Sequence, residues 1–545
     1  MHQRHAAVAA SGCGKRTTVC PVSNRAIGYP EKMRRFNVAG PCRPDEHYMV
    51  PPEARIPAVR GLVDAGQYFV LHAPRQVGKT TALLGLARAL TAEGRYAAVV
   101  LSCEVGQAFG DDVDRAEAVV LGSWRLDAAE RLPADFRPPP WPDAPAGLRI
   151  RAALDAWTRA CPRPLVVFLD EIDALQGASL ISVLRQLRGG HSARPSGFPH
   201  ALALVGLRDV RDYKTAAGGS ERLGTSSPFN IKSDSLTMRV FTAPEVAALY
   251  AQHAADTGQR FEDDAVARAF DLTRGQPWLV NALARQCVEQ IATDGRPITG
   301  ADVDDAKERL IVRRDTHLDS LADKLREDRV RRVIAPMLQG EIPTVAPSNE
   351  DIEYVVDLGL IVRRNGIEIA NPIYREVIPR ELASQTADFI HLPRPTWLDA
   401  QGRLVPDALI TAFLTFWRQH GEALAAVTAY PEIAPHLVLM AFLHRVVNGG
   451  GTIEREYAIG MGAIDLCVRC GETVLAIEVK RWRDRDADPA TAGLAQLDGY
   501  LEGLGLDRGY LIVFDQRERR LPVEQRIAQE SRQSPGGRAI TVVRA

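Results

Sequence analysis

Residues 68–81 read Tyr68-Phe-Val-Leu-His-Ala-Pro-Arg-Gln-Val-Gly-Lys-Thr-Thr81, and the fold follows from how that run divides. Tyr68 to His72 is a short apolar stretch of strand type. Ala73, Pro74, Arg75, Gln76, Val77, Gly78, Lys79 and Thr80 form a loop that ends in a lysine and a hydroxyl. Thr81 to Leu90 then puts Leu83, Leu84, Ala87 and Leu90 on one helical face. Strand, glycine-bearing loop and a helix opening on Lys-Thr suit a phosphate chain. Backbone N–H groups of the loop and helix N-terminus surround the β-phosphate, and Lys79 reaches the β and γ oxygens. The Thr80 hydroxyl is the expected magnesium ligand, and Ala73 through Thr81 are the candidate nucleotide-binding residues. The spacing is the Walker A spacing, with Ala73 where the first glycine stands.

A Walker B strand should follow. Pro164-Leu-Val-Val-Phe-Leu169 is apolar throughout and runs into Asp170-Glu171-Ile172-Asp173. Asp170 is expected to orient magnesium through water, and Glu171 to polarise the attacking water. Two acids ending a fully apolar strand are costly without a cation, and the Asp-Glu pair points to hydrolysis. The next strand, Ala201-Leu-Ala-Leu-Val205, ends in Gly206-Leu207-Arg208-Asp209. In a doubly wound sheet its tip faces the γ-phosphate, so Arg208 is a candidate sensor or charge stabiliser. An exposed arginine paired with Asp209 or Asp212 is the structural alternative. Beyond the sheet, Phe261 to Thr273 and Pro277 to Ile291 read as lid helices. Gly275-Gln276-Pro277 opens the second, and a proline at a helix start explains that turn without any ligand.

Residues 34–310 resemble the AAA-like P-loop ATPases of the STAND and archaeal-ATPase kind. The resemblance rests on Ala73 to Thr80, Leu169 to Asp173, Gly206 to Lys214, Ser227 to Lys232 and Gly275 to Asn281. It implies that the Gly-x-Pro turn lies over the base, with Pro277 against the adenine. Arg208 departs from the Asn or Thr of ordinary AAA+ proteins, and no second arginine is clearly placed as a trans finger. Ring assembly is therefore left open. Gly14-Lys15-Arg16, near the N-terminus, copies a phosphate loop but has Arg16 in place of the hydroxyl and no strand before it.

At ~150 residues per domain, 545 residues imply three or four domains. Lys+Arg 67 against Asp+Glu 68 excludes a chain-wide basic coat for nucleic acid, though not a local basic groove. No apolar run is long enough to span a membrane. Eight scattered cysteines read as reduced thiols of a cytoplasmic protein. Cys467 and Cys470 lack the further ligands of a zinc site and read as strand residues.

After the lid, Leu325 to Leu338, Asn349 to Leu358 and a hairpin turning at Arg364-Asn365-Gly366 suggest a winged helix. The helix that would enter a DNA groove carries Glu350, Asp351, Glu353 and Asp357 and no cation. Those carboxylates would repel phosphates, so the module is expected to pack on or regulate the ATPase.

The C-terminal third holds a second set of chemical residues. Ala408 to Gln419 and Ala434 to Val447 are helical. Asp465 lies in Ala463-Ile-Asp-Leu-Cys-Val-Arg469, and Val474-Leu-Ala-Ile-Glu478-Val-Lys480 follows a turn at Gly471. Glu478 and Lys480 share a face, because strand side chains alternate. In a hairpin, Asp465 can sit across from them. Two carboxylates hold a magnesium or manganese ion that lowers the pKa of water, while Lys480 positions the nucleophile. The alternative is a surface salt bridge between Glu478 and Lys480. With Gln496 and Tyr500 on the next helix and the strand Tyr510 to Phe514, residues 430–545 resemble the PD-(D/E)XK nuclease superfamily. That resemblance implies that Gln496 lies near the metal. Arg481, Arg483 and Arg485 offer a positive rim, diluted by Asp484, Asp486 and Asp488.

The fold class expected is α/β: a P-loop doubly wound parallel sheet with helical lid and winged helix, plus a C-terminal restriction-endonuclease-like α/β domain. The expected divisions are 1–32 leader, 33–235 ATPase core, 236–318 lid, 319–385 winged helix, 386–430 linker and helix, and 431–545 nuclease-like domain. The expected function is ATP hydrolysis whose nucleotide state controls a magnesium-dependent DNA endonuclease. A role in defence against foreign DNA is an implication of the resemblance only. The other readings are an ATP-driven regulator with a non-cutting nuclease-like domain, and a DNA-translocating motor. Expected partners are ATP and, at the C-terminal domain, DNA; the oligomeric state is open.

Overall fold

The computed structural model describes residues 34–207, 231–313, 321, 323–338, 348–364, 366–387, 396–427, 433–447, 451–459, 462–484, 486–518 and 520–545. The leader 1–32, Arg208 and most of the 206–232 segment lie outside the described residues.

Five apolar runs become one parallel sheet: β1 (Tyr68–His72), β2 (Ala97–Ser102), β3 (Leu165–Asp170), β4 (Ala201–Gly206) and β5 (Asp234–Thr237). Their order is β2-β3-β4-β1-β5, every pair parallel. β1 to β4 are almost wholly buried, as strands covered by helices on both faces must be. One face packs on Trp124, Trp157 and Leu184, the other on Val59, Leu83 and Leu90. β4 separates β1 from β3, so the loop after β1 and the acids after β3 flank its tip. The proline-rich stretch 133–145 closes over one core. Phe136 is buried, its carbonyl accepts from Trp157 Nε1 at 2.8 Å, and the Trp141 ring lies 5.9 Å from that of Trp157.

Where a lid is expected, the chain forms helices Ala243–Thr257, Asp263–Thr273, Pro277–Gln286 and Gly300–Arg313. The third runs on as a π-helical turn, Cys287–Ile291. Helices Asp328–Leu338 and Asn349–Asp357 then precede the antiparallel hairpin of β6 (Ile361–Arg363) and β7 (Ile367–Ile369). Asp351 on the second helix is buried and accepts from Arg332 at 2.9 and 3.1 Å. Its charge is used inside the unit.

The C-terminal sheet contains β8 (Gly451–Ile459), β9 (Gly462–Cys470), β10 (Thr473–Trp482), β11 (Arg508–Asp515), β12 (Ala528–Gln533) and β13 (Ala539–Arg544). The order is β12-β13-β11-β10-β9-β8, with β10, β11 and β13 parallel. Helix Ala490–Leu504 covers one face through Leu497 and Leu501. On the other, Phe413 and Trp417 bring their rings 6.3 and 4.8 Å from Phe514. β12 and β13 extend the sheet beyond the last strand legible in the sequence. Among the described residues no helix is long and apolar enough to cross a membrane.

Candidate nucleotide site and a second polar cluster

The loop after β1 is shaped by two left-handed residues, Gln76 at φ 57° and Gly78 at φ 91°. Such a turn costs a non-glycine residue energy and points successive backbone N–H groups inward. Helix Lys79–Ala92 begins directly after Gly78. Lys79 folds over the loop, its Nζ donating to the carbonyls of Ala73 and Pro74 at 2.7 and 3.0 Å. Burial pulls its pKa down, opposed by the charge of Asp170.

Thr80 Oγ1 donates to Asp170 Oδ2 at 2.6 Å, joining the two sequence motifs at one point. Asp170 is buried, and desolvation raises its pKa against the Thr80 hydrogen bond and the Lys79 charge. A buried carboxylate beside a hydroxyl, at the mouth of a phosphate loop, is a donor set that fits magnesium. Glu171 follows in a left-handed conformation at φ 55° and accepts from Ser102 Oγ at 3.3 Å. Desolvation in the cleft, then the charges of Glu104 and Asp170, push its carboxyl up to about 7.

These groups line a cleft of about 740 Å³. Gly206 and Leu207 at the tip of β4 form part of its wall. Lys324 and Tyr354, from beyond the lid, line the same cleft. There Lys324 Nζ donates to Glu327 Oε1 at 2.6 Å, and the Tyr354 hydroxyl donates to Glu327 Oε2 at 2.5 Å. Gly359 lies so close to the loop that a Cβ would stand 2.7 Å from Pro74 Cβ. The helix–helix–hairpin unit therefore rests on the phosphate loop.

A second cavity of about 250 Å³ opens beside Gln76, Gly78 and Thr81. Its far wall is Phe241, Leu249, Pro277, Trp278 and Asn281 of the lid, and its near wall comes from residues 37–50. Pro277, singled out by the Gly-x-Pro turn, thus faces the same space as the loop. Sequence reasoning missed the N-terminal wall and Arg55. Cys42 N–H donates to Thr81 Oγ1 at 3.1 Å, fastening residues 37–50 to the loop helix. Buried Arg55 donates to the Val77 carbonyl at 2.7 Å and to the Arg239 carbonyl at 2.6 and 3.0 Å. It sits 4.8 Å over the Phe241 ring, and burial lowers its pKa to about 10. A lone arginine before a helix carries no sequence signal of this.

In the C-terminal sheet, Glu478 is fully buried on β10. Lys480 Nζ donates to Glu478 Oε1 at 2.6 Å and to Gln496 Oε1 at 2.8 Å. Gln496 Nε2 donates in turn to the Tyr500 hydroxyl at 2.8 Å. Glu478 and Lys480 thus form the ion pair of the alternative reading, with the carboxylate buried and the ammonium partly exposed, and the chain of contacts ties β10 to helix Ala490–Leu504. Asp465 belongs to β9, but its side chain lies outside the described residues. The β9–β10 register ends at Ile477↔Leu466, so Glu478 and Asp465 are the next residues along these two strands. Among the described residues no group of three or more His, Cys, Asp or Glu side chains is poised for a metal.

Residues 34–181 match the family described as an AAA domain. No curated protein sequence matches the chain. A Walker-type ATPase of Pyrococcus abyssi is 14% identical, with TM-score 0.45, over 62% of this chain and 98% of that one. The Aeropyrum pernix ORC2 protein, in ADPNP–ADP complexes, is 16% identical with TM-score 0.41, over 62% and 94%. The Thermotoga maritima RuvB Holliday junction branch migration motor is 16% identical with TM-score 0.33, over 58% and 90%.

Proposed function

We propose that this chain binds and hydrolyses ATP, and that its nucleotide state controls a magnesium-dependent DNA endonuclease in the C-terminal domain. The observation that carries the first half is the 2.6 Å contact between Thr80 and Asp170, with Lys79 and Glu171 on either side. Thr80 and Asp170 would hold the magnesium ion that accompanies the triphosphate, which neutralises charge on the β and γ oxygens. The chain supplies the rest. Loop N–H groups and Lys79 bind the phosphates, Glu171 takes a proton from the attacking water, and Ser102 holds its carboxylate. Pro277 and its neighbours enclose the base. Arg208 is proposed at the γ-phosphate from its position after β4 alone.

The cluster of Glu478, Lys480 and Gln496 supports the second half. A fully buried carboxylate is costly to desolvate, and one set beside a lysine on a sheet strand suits metal-assisted hydrolysis. In this reading Glu478 and Asp465 would hold magnesium or manganese, Lys480 would orient the attacking water, and Gln496 would keep Lys480 in place. The docking of the helix–helix–hairpin unit on the phosphate loop supports nucleotide control, since whatever moves Pro74 is felt at Gly359.

The test is cleavage of plasmid and linear DNA with magnesium or manganese, with and without ATP, by wild type, Lys79→Ala and Lys480→Ala. Lys480→Ala should abolish cutting and leave ATP binding intact. Lys79→Ala should abolish ATP binding and remove any effect of ATP on cutting. Full cleavage by Lys480→Ala would overturn the nuclease assignment.

A further inference from the structure

We propose that Arg55 holds the α-phosphate of the nucleotide, its Nη1 donating to a non-bridging oxygen. This deepens the ATP reading above and rests on it. The two cavities share Gly40, Gln76, Gly78 and Thr81, so one ligand can run through both. The larger cleft holds Lys79, Thr80, Asp170 and Glu171 and suits the β and γ groups. The smaller, at about 250 Å³ and with Val38, Val50, Phe241 and Leu249 in its walls, suits one flat ring system. The wall they share is then where the ribose and α-phosphate pass.

Arg55 lines the smaller cavity, with 6% of its surface exposed. A guanidinium carries five N–H donors. Nε and Nη2 are spent on the carbonyls of Val77 and Arg239. Nη1 makes no hydrogen bond among the described residues, and unlike the buried unpartnered atoms of this chain it is reached by solvent. It stands 3.4 Å from where a Cβ on Gly78 would be, beside the wall that the two cavities share.

The charge argues for a phosphate oxygen rather than a ring nitrogen. A buried arginine is ordinarily paired, and among the described residues no carboxylate forms an ion pair with Arg55. The acid whose charge it feels is Glu245, and that carboxylate is held by Arg239 at 2.6 and 2.7 Å. Burial lowers the Arg55 pKa only to about 10, so the group is a cation at neutral pH. A strut between two backbone carbonyls needs no charge, and a buried cation left without an anion is costly. An anionic oxygen at Nη1 removes that cost and forms a charge-assisted hydrogen bond. Because the same side chain grips the Val77 carbonyl, it sets the α-phosphate relative to the loop that binds the β-phosphate.

Binding would be measured by calorimetry for ATP, ADP and the Sp and Rp isomers of ATPαS, in which sulfur replaces one or the other α oxygen. The proteins are wild type, Arg55→Met and Arg55→Lys. Sulfur is the weaker acceptor, so wild type should bind one isomer about tenfold more weakly than the other, the loss of one hydrogen bond to a charged group. Arg55→Met should bring the isomers to within about twofold of each other. It should also weaken ATP and ADP by the same factor, about tenfold or more, since both carry the α group. Arg55→Lys keeps a cation on a single nitrogen, which cannot serve the carbonyls and the phosphate together, and should narrow the isomer ratio as well. The wild-type comparison needs no folded variant. Equal wild-type affinity for the two isomers overturns the inference and leaves the nucleotide site standing. An isomer ratio unchanged in both variants overturns it too, leaving Arg55 as a strut of the loop. A loss confined to ATP would put Arg55 on the γ group and has the same force. Failure of wild type to bind any of the four overturns the site reading itself.

Discussion

Single groups set the pH response of the nucleotide site. Glu171 is pushed up to about 7, so its base form grows in as pH rises through neutrality. ATP turnover should therefore climb between roughly pH 6 and pH 8 and level off above. Glu104 contributes to that shift by charge, so Glu104→Gln should lower the Glu171 pKa and move the climb to lower pH. A kcat/KM profile that stays in place in Glu104→Gln would remove Glu171 from the role of base. Glu171→Gln should reduce turnover by about a hundredfold or more while nucleotide affinity holds, which single-turnover and binding measurements separate. At this scale the sequence was informative where chemistry demands fixed spacing. Lys79, Thr80 and Asp170 could be named because a phosphate chain and its ion dictate which residues stand where. Arg55 could not, because one partner is the Arg239 carbonyl, 184 residues away.

At the scale of elements, the lid is pinned by a few local devices. Thr242 accepts from Glu245 N–H, and Glu245 Oε2 accepts from Thr242 N–H at 2.8 Å, the reciprocal cap of helix Ala243–Thr257. Hydrogen bonding and charge from Arg239 hold the Glu245 carboxyl down at about 2. A depressed carboxylate contributes stability above its unfolded pKa of ~4.3, and loses it as pH falls toward the folded value. Thr242→Ala should cost ~1 kcal/mol in urea unfolding of the lid at neutral pH. Gly275 is less forgiving. At φ 79° a Cβ there would stand 1.9 Å from the Phe241 carbonyl oxygen, which the backbone cannot relieve cheaply. Gly275→Ala should lower the Tm and weaken nucleotide binding, because Phe241 and Pro277 both line the cavity proposed for the base. Unchanged nucleotide affinity would show that the turn does not set that cavity. The strands that carry the sites were legible as unbroken apolar runs. β12, Ala-Gln-Glu-Ser-Arg-Gln, is a mostly exposed polar edge with no alternation to read, and only its pairing with β13 makes it a strand.

Across the whole molecule, helix Pro372–Ala387 is where the parts meet. It packs on lid helices Asp263–Thr273 and Gly300–Arg313, on β7, on helix Ala434–Val447 and on β8 of the C-terminal sheet. Its bond to the lid is a nearly buried square of charges. Lys307 pairs with Glu376 at 2.8 Å and with Glu308 at 3.0 Å, while Arg380 pairs with Glu376 at 3.1 Å and with Glu308 at 3.2 Å. Two cations and two anions balance, so losing one member strands the others. The wide spacing of its corners, with Lys307 and Glu376 69 residues apart, hides this square from any local reading. Glu376→Gln leaves Lys307 and Arg380 sharing one carboxylate and should cost ~3 kcal/mol. Helix Pro277–Gln286, which lines the smaller cavity, packs on Gly300–Arg313, so the square stands in the chain of contacts from that cavity to the C-terminal sheet. Nucleotide should therefore change amide hydrogen exchange in Ala434–Val447 in wild type, and Glu376→Gln should abolish that change while the ATP Kd stays within about twofold. The readout does not depend on DNA cleavage. If Ala434–Val447 responds to nucleotide equally in both proteins, the coupling runs elsewhere, and the close approach of Gly359 to Pro74 is the next place to test. Gly359→Leu would then be the informative variant, since its side chain must lift the helix–helix–hairpin unit off the phosphate loop and should speed nucleotide release.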